Sequence, residues 1–146
     1  MEARISFVTL GVADLDRSTR FYEAALRLPR VPSPPGVVFF DIGRIRLALY
    51  PRELLAADSG VSPEGSGFAG FALACNVGSA READQLLEDA VAAGGRIVKR
   101  AQPADWGGYA GYFADPDEFL WEVAWNPRPP AEMGPGSGGP PRREHP

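Results

Sequence analysis

Residues 106–127 read Trp106-Gly-Gly-Tyr-Ala-Gly-Tyr-Phe-Ala-Asp-Pro-Asp-Glu-Phe-Leu-Trp-Glu-Val-Ala-Trp-Asn-Pro127. Three tryptophans, two tyrosines and two phenylalanines flank one tight turn, Asp115-Pro116-Asp117-Glu118. Proline presets the backbone of the second turn position, and the aspartates can bond local amides. On each side, aromatic and aliphatic residues alternate with the period of a strand. The stretch therefore predicts a terminal β-hairpin, with one acidic residue, Glu122, in the middle of an otherwise apolar strand.

Working outward, residues 4–12 alternate in the same way and read as a first strand. Asp14 and Asp16 offer N-cap oxygens for a helix running to Leu26. Its buried stripe is Ser18, Phe21, Tyr22, Ala25 and Leu26, and Pro29 ends it. Strands at 37–42 and 45–51 are joined at Gly43-Arg44, and residues 52–66 read as a linker with at most one helical turn. A strand at 68–77 precedes a capping box, Ser79 with Glu82. The helix that follows carries Ala83, Leu86, Leu87, Ala90 and Val91 and stops at Gly94-Gly95. Strands at 97–101, 109–114 and 119–125 complete the body. The tail 128–146, rich in proline, glycine and arginine, has too little apolar material to order itself.

The order strand, helix, then two or three strands thus occurs twice, with Asp41 and Asp115 at matching places. Each unit alone is too small for a comfortable core. Pairing them predicts an α+β fold: two βαβββ modules, 4–51 and 67–127, whose mixed sheets form an incomplete barrel around a cavity, with helices outside.

Composition narrows the function. A chain of 146 residues, 45% hydrophobic and 23% charged, is ordinary for one globular domain. The net charge of −4 and the lack of a basic run argue against nucleic acid, and no apolar run spans a bilayer. No signal pattern opens the chain, and the single cysteine, Cys75, fits a reducing cytoplasm. The one histidine, His145, is next to last, so chemistry in the body proceeds without imidazole. Most zinc and non-haem iron sites, and Ser-His or Cys-His nucleophiles, are thereby disfavoured.

Residues 8–22, Val-Thr-Leu-Gly-Val-Ala-Asp-Leu-Asp-Arg-Ser-Thr-Arg-Phe-Tyr, followed by 106–117 and by Leu-Trp-Glu-Val at 120–123, resemble the vicinal oxygen chelate superfamily, which groups glyoxalases, bleomycin-resistance proteins and extradiol dioxygenases. The resemblance spans residues 4–127 and implies the same paired βαβββ architecture. Glu118 stands where the family usually has glycine. Metal enzymes of the family hold a cation from four strand positions, which the resemblance maps to Phe7, Ala48, Gly70 and Glu122. One carboxylate is short of the three protein ligands a catalytic metal needs. No metal and no cofactor is expected.

If Glu122 faces the cavity, strand parity places Leu120 and Ala124 with it and turns Trp121, Val123 and Trp125 to the helices. Phe7, Thr9 and Gly11, Gly70, Ala72 and Ala74, and Arg46, Ala48 and Tyr50 would line the rest. Trp106, Tyr109 and Tyr112 could stack at the mouth, although the two tyrosines point to opposite faces. Such a mostly apolar wall with a few polar groups suits a small organic ligand. Arg46 and Glu122 equally suit an internal ion pair. The leading reading is a metal-free binding protein of the bleomycin-resistance type, a homodimer being plausible. One alternative is a lyase, isomerase or dioxygenase-type enzyme using Glu122 as base or metal ligand. Another is a non-catalytic interaction module with a filled cavity.

Overall fold

Asp14 is the junction from which the fold grows. Its side chain accepts the Arg17 amide at 2.8 Å and caps α1, Leu15–Ala25, directly after strand β1, Phe7–Val12. In the computed structural model, which describes residues 7–69, 71–105 and 107–127, the first module continues with β2 (Arg30–Val31), β3 (Val38–Asp41) and β4 (Arg46–Pro51). After helix α2, Arg52–Ser59, the second module runs β5 (Leu73–Asn76), α3 (Ala80–Ala92), β6 (Arg96–Pro103), β7 (Tyr109–Ala114) and β8 (Leu120–Trp125). Sheet one has the order β1-β4-β3-β2 and sheet two the order β5-β8-β7-β6. In each, the first and last strands of the module pair in parallel and the others antiparallel. The α+β pair of βαβββ modules is present, and the two sheets do not close on each other.

One apolar core serves both sheets. Leu10, Val12, Phe40, Leu47 and Leu49 from sheet one meet Phe113, Trp121 and Val123 from sheet two through Phe21, Tyr22 and Ala25 of α1 and Ala83, Leu87 and Ala90 of α3. The Tyr22 ring lies 6.1 Å from Phe40 and 5.9 Å from Trp121, so one side chain of α1 touches both sheets. The helices therefore sit within the shared core rather than only outside it. The other face of each sheet turns away from that core.

The modules are also joined by polar contacts. Asp117, in the β7–β8 turn, accepts the Ala13 amide at 2.8 Å, the Arg17 guanidinium at 2.9 Å and the Ser18 hydroxyl at 2.7 Å. Asp115 accepts the amides of Asp117 and Phe119 through Oδ1 and the Tyr22 hydroxyl through Oδ2. Tyr22 in turn accepts from the Trp121 indole at 3.3 Å. Ser18, Tyr22 and Asp115 are buried and fully partnered, as burial of polar groups requires. The turn aspartates are an inter-module latch on the start of α1.

This latch has an alkaline limit. Burial, then the charge of Asp115 and the hydrogen bond to it, raise the Tyr22 phenol well above 10.0. A group whose folded pKa is raised adds stability that is complete below its unfolded pKa and is lost as pH climbs beyond it. Urea midpoints should therefore fall from about pH 10 upward. Tyr22→Phe should lower the midpoint at pH 8 and flatten that alkaline decline; an unchanged decline would place it elsewhere.

Three local readings change. Residues 52–59 form a full helix, α2, because Gly60 at φ 70° closes it by donating to the carbonyls of Ala56 and Ala57. Only Ala56 of α2 is buried, so its sequence lacks a full apolar stripe. Strand β5 starts at Leu73 rather than 68, leaving Phe68 and Phe71 exposed. The ladder also resets the repeat: Ile42 donates to the Ile45 carbonyl as Asp115 does to that of Phe119, so Ile42, not Asp41, is the counterpart of Asp115. The tail expectation falls on 128–146, outside the described residues.

Candidate functional site

The outer face of sheet two carries a polar row. The register aligns Lys99 of β6 with Tyr112 of β7, Tyr112 with Glu122 of β8, and Glu122 with Ala74 of β5. Residues directly opposite in a ladder share a face, so Lys99, Tyr112 and Glu122 stand side by side. Two register shifts in β6, on either side of Lys99, bring the lysine into line. Burial, the charge of Glu122 and a hydrogen bond to it raise the Tyr112 phenol above 10.0. The tyrosine thus stays protonated at neutral pH and can donate to the glutamate. Burial, then Glu122, also pushes the Cys75 thiol up to about 11, so Cys75 is no nucleophile at neutral pH. Ala74, Ala110 and Ala124 keep the surroundings of the row low and apolar.

The outer face of sheet one is different. Phe7 and Phe39 approach to 5.4 Å between ring centroids, with Ala48 paired to Phe39. Phe7 remains 47% exposed, an unusual state for a phenylalanine in a strand. Helix α2 roofs one end. A Cβ on Gly11 would lie 3.2 Å from Leu55 and 3.3 Å from the Arg52 backbone, so glycine lets the helix approach. Tyr50, its phenol raised by desolvation and by Asp58, ties β4 to α2.

Phe7, Arg46 and Ala48 lie on sheet one and Glu122 on sheet two. Arg46 pairs with Asp41, its neighbour across the ladder, at 3.5 Å. The internal Arg46–Glu122 pair is therefore replaced by an exposed local one. Tyr109 points the other way from Tyr112 and donates to Asp84 of α3 at 3.0 Å, so the tyrosine beside Glu122 is Tyr112. Gly70 and Trp106 lie outside the described residues. Lys99 was missed because bulges, which decide its register, leave no local signature.

A model of the Glyoxalase/Bleomycin resistance protein/Dioxygenase superfamily matches residues 4–123. The chain belongs to that superfamily. Among solved structures, this glyoxalase-superfamily chain is similar to a glyoxalase-related enzyme from Fulvimarina pelagi, with 37% identity, a TM-score of 0.79, and 85% of this chain and 88% of that one covered. A hypothetical protein from S. aureus shares 25% identity at TM-score 0.77, covering 86% and 95%. A lactoylglutathione lyase from Agrobacterium tumefaciens, 24% identical at TM-score 0.63 over 86% and 95%, shares the fold. No curated protein matches the sequence.

The residues that the resemblance maps to the superfamily's metal positions, Phe7, Ala48, Gly70 and Glu122, include one carboxylate and no other donor side chain. Among the described residues, no group of three or more His, Cys, Asp or Glu could hold an ion. The row offers an acceptor in Glu122, a donor in Tyr112 and a basic side chain in Lys99, set among apolar neighbours. No described helix is long and apolar enough to cross a membrane.

Proposed function

We propose that this superfamily member binds a small organic molecule, without a resident metal, on the Glu122 face of sheet two, and that a second copy of the chain completes the site. The observation that carries the reading is the residue set at the superfamily's metal positions, Phe7, Ala48, Gly70 and Glu122, where a single carboxylate replaces a chelating group. The Lys99–Tyr112–Glu122 row gives a ligand polar anchors of both signs, set among alanines. A partner is supported by the open sheets and by Phe7, Phe68 and Phe71, all more than 40% exposed.

A thermal-shift series tests this reading. Divalent zinc, nickel, manganese or a chelator should leave the midpoint within about 1 °C, while a bound organic molecule raises it by linkage. A metal-specific rise of several degrees, reversed by chelator, would overturn the proposal. A second reading, catalysis with Glu122 as general base, is favoured by its hydrogen bond to Tyr112 and by the relative described as an enzyme. It expects Glu122→Gln to keep ligand affinity and abolish turnover.

A further inference from the structure

Residues 60–69 lead the chain from α2 toward β5 and are held loosely to the body. All of them are exposed except Pro63, which is half-buried. The Pro63 carbonyl accepts from Nε of Arg52 at 2.6 Å, and the Glu64 amide donates only to the neighbouring Ser62 hydroxyl. Among the described residues, 65–69 make no hydrogen bond. Gly65 and Gly67 hold φ at 134° and 91°, and a Cβ on either would meet no atom within 4 Å. Glycine takes such angles without steric cost, so the segment can change its turns without strain. Exposed backbone with so few contacts opens and closes at the low end of a protein's stability range.

The segment also stands off from what lies beneath it. A gap of about 410 Å³ lies between 65–69 and the side formed by Gly11, Arg52, Asp117, Glu118 and Phe119. That side spans both halves of the chain: Gly11 is in β1 and Arg52 opens α2, whereas Asp117 to Phe119 lead into β8. Phe68 stands at the rim with 75% of its surface exposed, beside unfilled space wide enough for its ring. Turning inward would take that ring out of water and give the atoms lining the gap the contacts they lack. Phe119 already meets Phe71 at 6.1 Å between ring centroids and would gain a second aromatic neighbour. The gap also borders the latch, where Asp117 holds the Ala13 amide and the Arg17 guanidinium within reach of water. We propose that residues 65–69 are a lid that closes over this gap, the Phe68 ring turning in beside Phe119 and shutting the Ala13–Asp117 bond off from water. Closure is a contact within one chain and does not depend on the ligand reading of the Glu122 face. It leaves Phe7 and Phe71 as the exposed rings that a second copy would cover.

Two measurements on the full chain test the lid. Phe68→Trp reports the surroundings of the ring, taken as the difference in emission from the parent chain with its Trp106, Trp121 and Trp125. The added emission should be blue-shifted from that of the urea-unfolded chain and poorly quenched by acrylamide, equally at all protein concentrations. Amide exchange at Ala13 reports the cover. Phe68→Ser should speed it several-fold, whereas Val61→Ser, which removes another exposed apolar side chain of the same segment, should leave it unchanged. Glu122→Gln should alter neither readout, which separates failure of the lid from failure of the first proposal. Emission like that of the unfolded chain, or Ala13 exchange that is equal in Phe68→Ser and the parent, would overturn the lid. A blue shift that grows with protein concentration would overturn it as well, by assigning Phe68 to a partner.

Discussion

Asp117→Ala should cost about 2–3 kcal/mol, because it removes the acceptor of three hydrogen bonds that join the two modules. The bonds are not equal. Arg17 has a 43% exposed side chain, so its ion pair is screened and contributes little. The Ala13 amide belongs to an exposed residue and can turn to water. The Ser18 hydroxyl is fully buried and would be left without its acceptor, which is the costly consequence. Ser18→Ala should therefore be milder, about 1 kcal/mol, and in the double variant the two losses should not add. Asp117→Asn, which keeps an acceptor but no charge, should fall between. The check is a urea series at pH 7 with constant m-value. A loss below about 1 kcal/mol in Asp117→Ala would mean that apolar packing alone holds the modules together.

The same latch shows why a superfamily signature need not be a catalytic one. Asp14, Arg17, Ser18, Tyr22, Asp115 and Asp117 carry most of the resemblance, and each has a structural partner in the fold. Asp115 is held above its usual range chiefly by burial, against the opposing hydrogen bond from Tyr22. For a carboxyl so raised, the charged form is the less favoured one in the folded state, so its own titration lowers stability as pH rises above about 4. It is retained because three donors converge on it, not because it adds electrostatic stability.

What was legible in the sequence followed from short-range periodicity. The alternation of Phe7 to Val12 and of Leu120 to Trp125, and the i, i+3, i+4 spacing of Ser18, Phe21 and Tyr22, come from one element meeting one core. The cap at Ser79 was readable because its partner, Glu82, is three residues away. The hidden parts depend on residues far apart in the chain. The Tyr22–Asp115 bond joins positions 93 apart and the Ser18–Asp117 bond positions 99 apart, and nothing local to either residue announces the other. Helix α2 was hidden by composition, since it buries only Ala56 and needs no stripe. Glu118 was noticed as a departure from glycine, and it does hold φ at 68°, a strained conformation for a residue with a Cβ. The candidate site was half legible: Glu122 and its face followed from parity, whereas Lys99 depended on irregularities in its strand.

Those irregularities also make one added methyl group costly. Gly111→Ala should cost about 3 kcal/mol or more, although the added volume is small. A Cβ there would lie 2.7 Å from the amide nitrogen of Ala101, 2.8 Å from its Cα and 2.8 Å from the Lys99 carbonyl oxygen. All three are backbone atoms of β6, so no side chain can rotate aside; the strand itself must retreat from β7. The retreat would break the ladder that aligns Lys99 with Tyr112 and would loosen β6 from α3, which packs on it. Gly78→Ala is the matched control. Its Cβ would meet only the Glu82 carboxylate at 3.2–3.3 Å, a group able to shift, so the loss should stay below about 1 kcal/mol. Amide exchange would show where the damage falls: in Gly111→Ala, protection should drop first along Arg96–Pro103, with α1 and sheet one unchanged. Equal losses for the two variants would mean that β6 does not cross Gly111 at this register, and the alignment of Lys99 with Glu122 would fall with it.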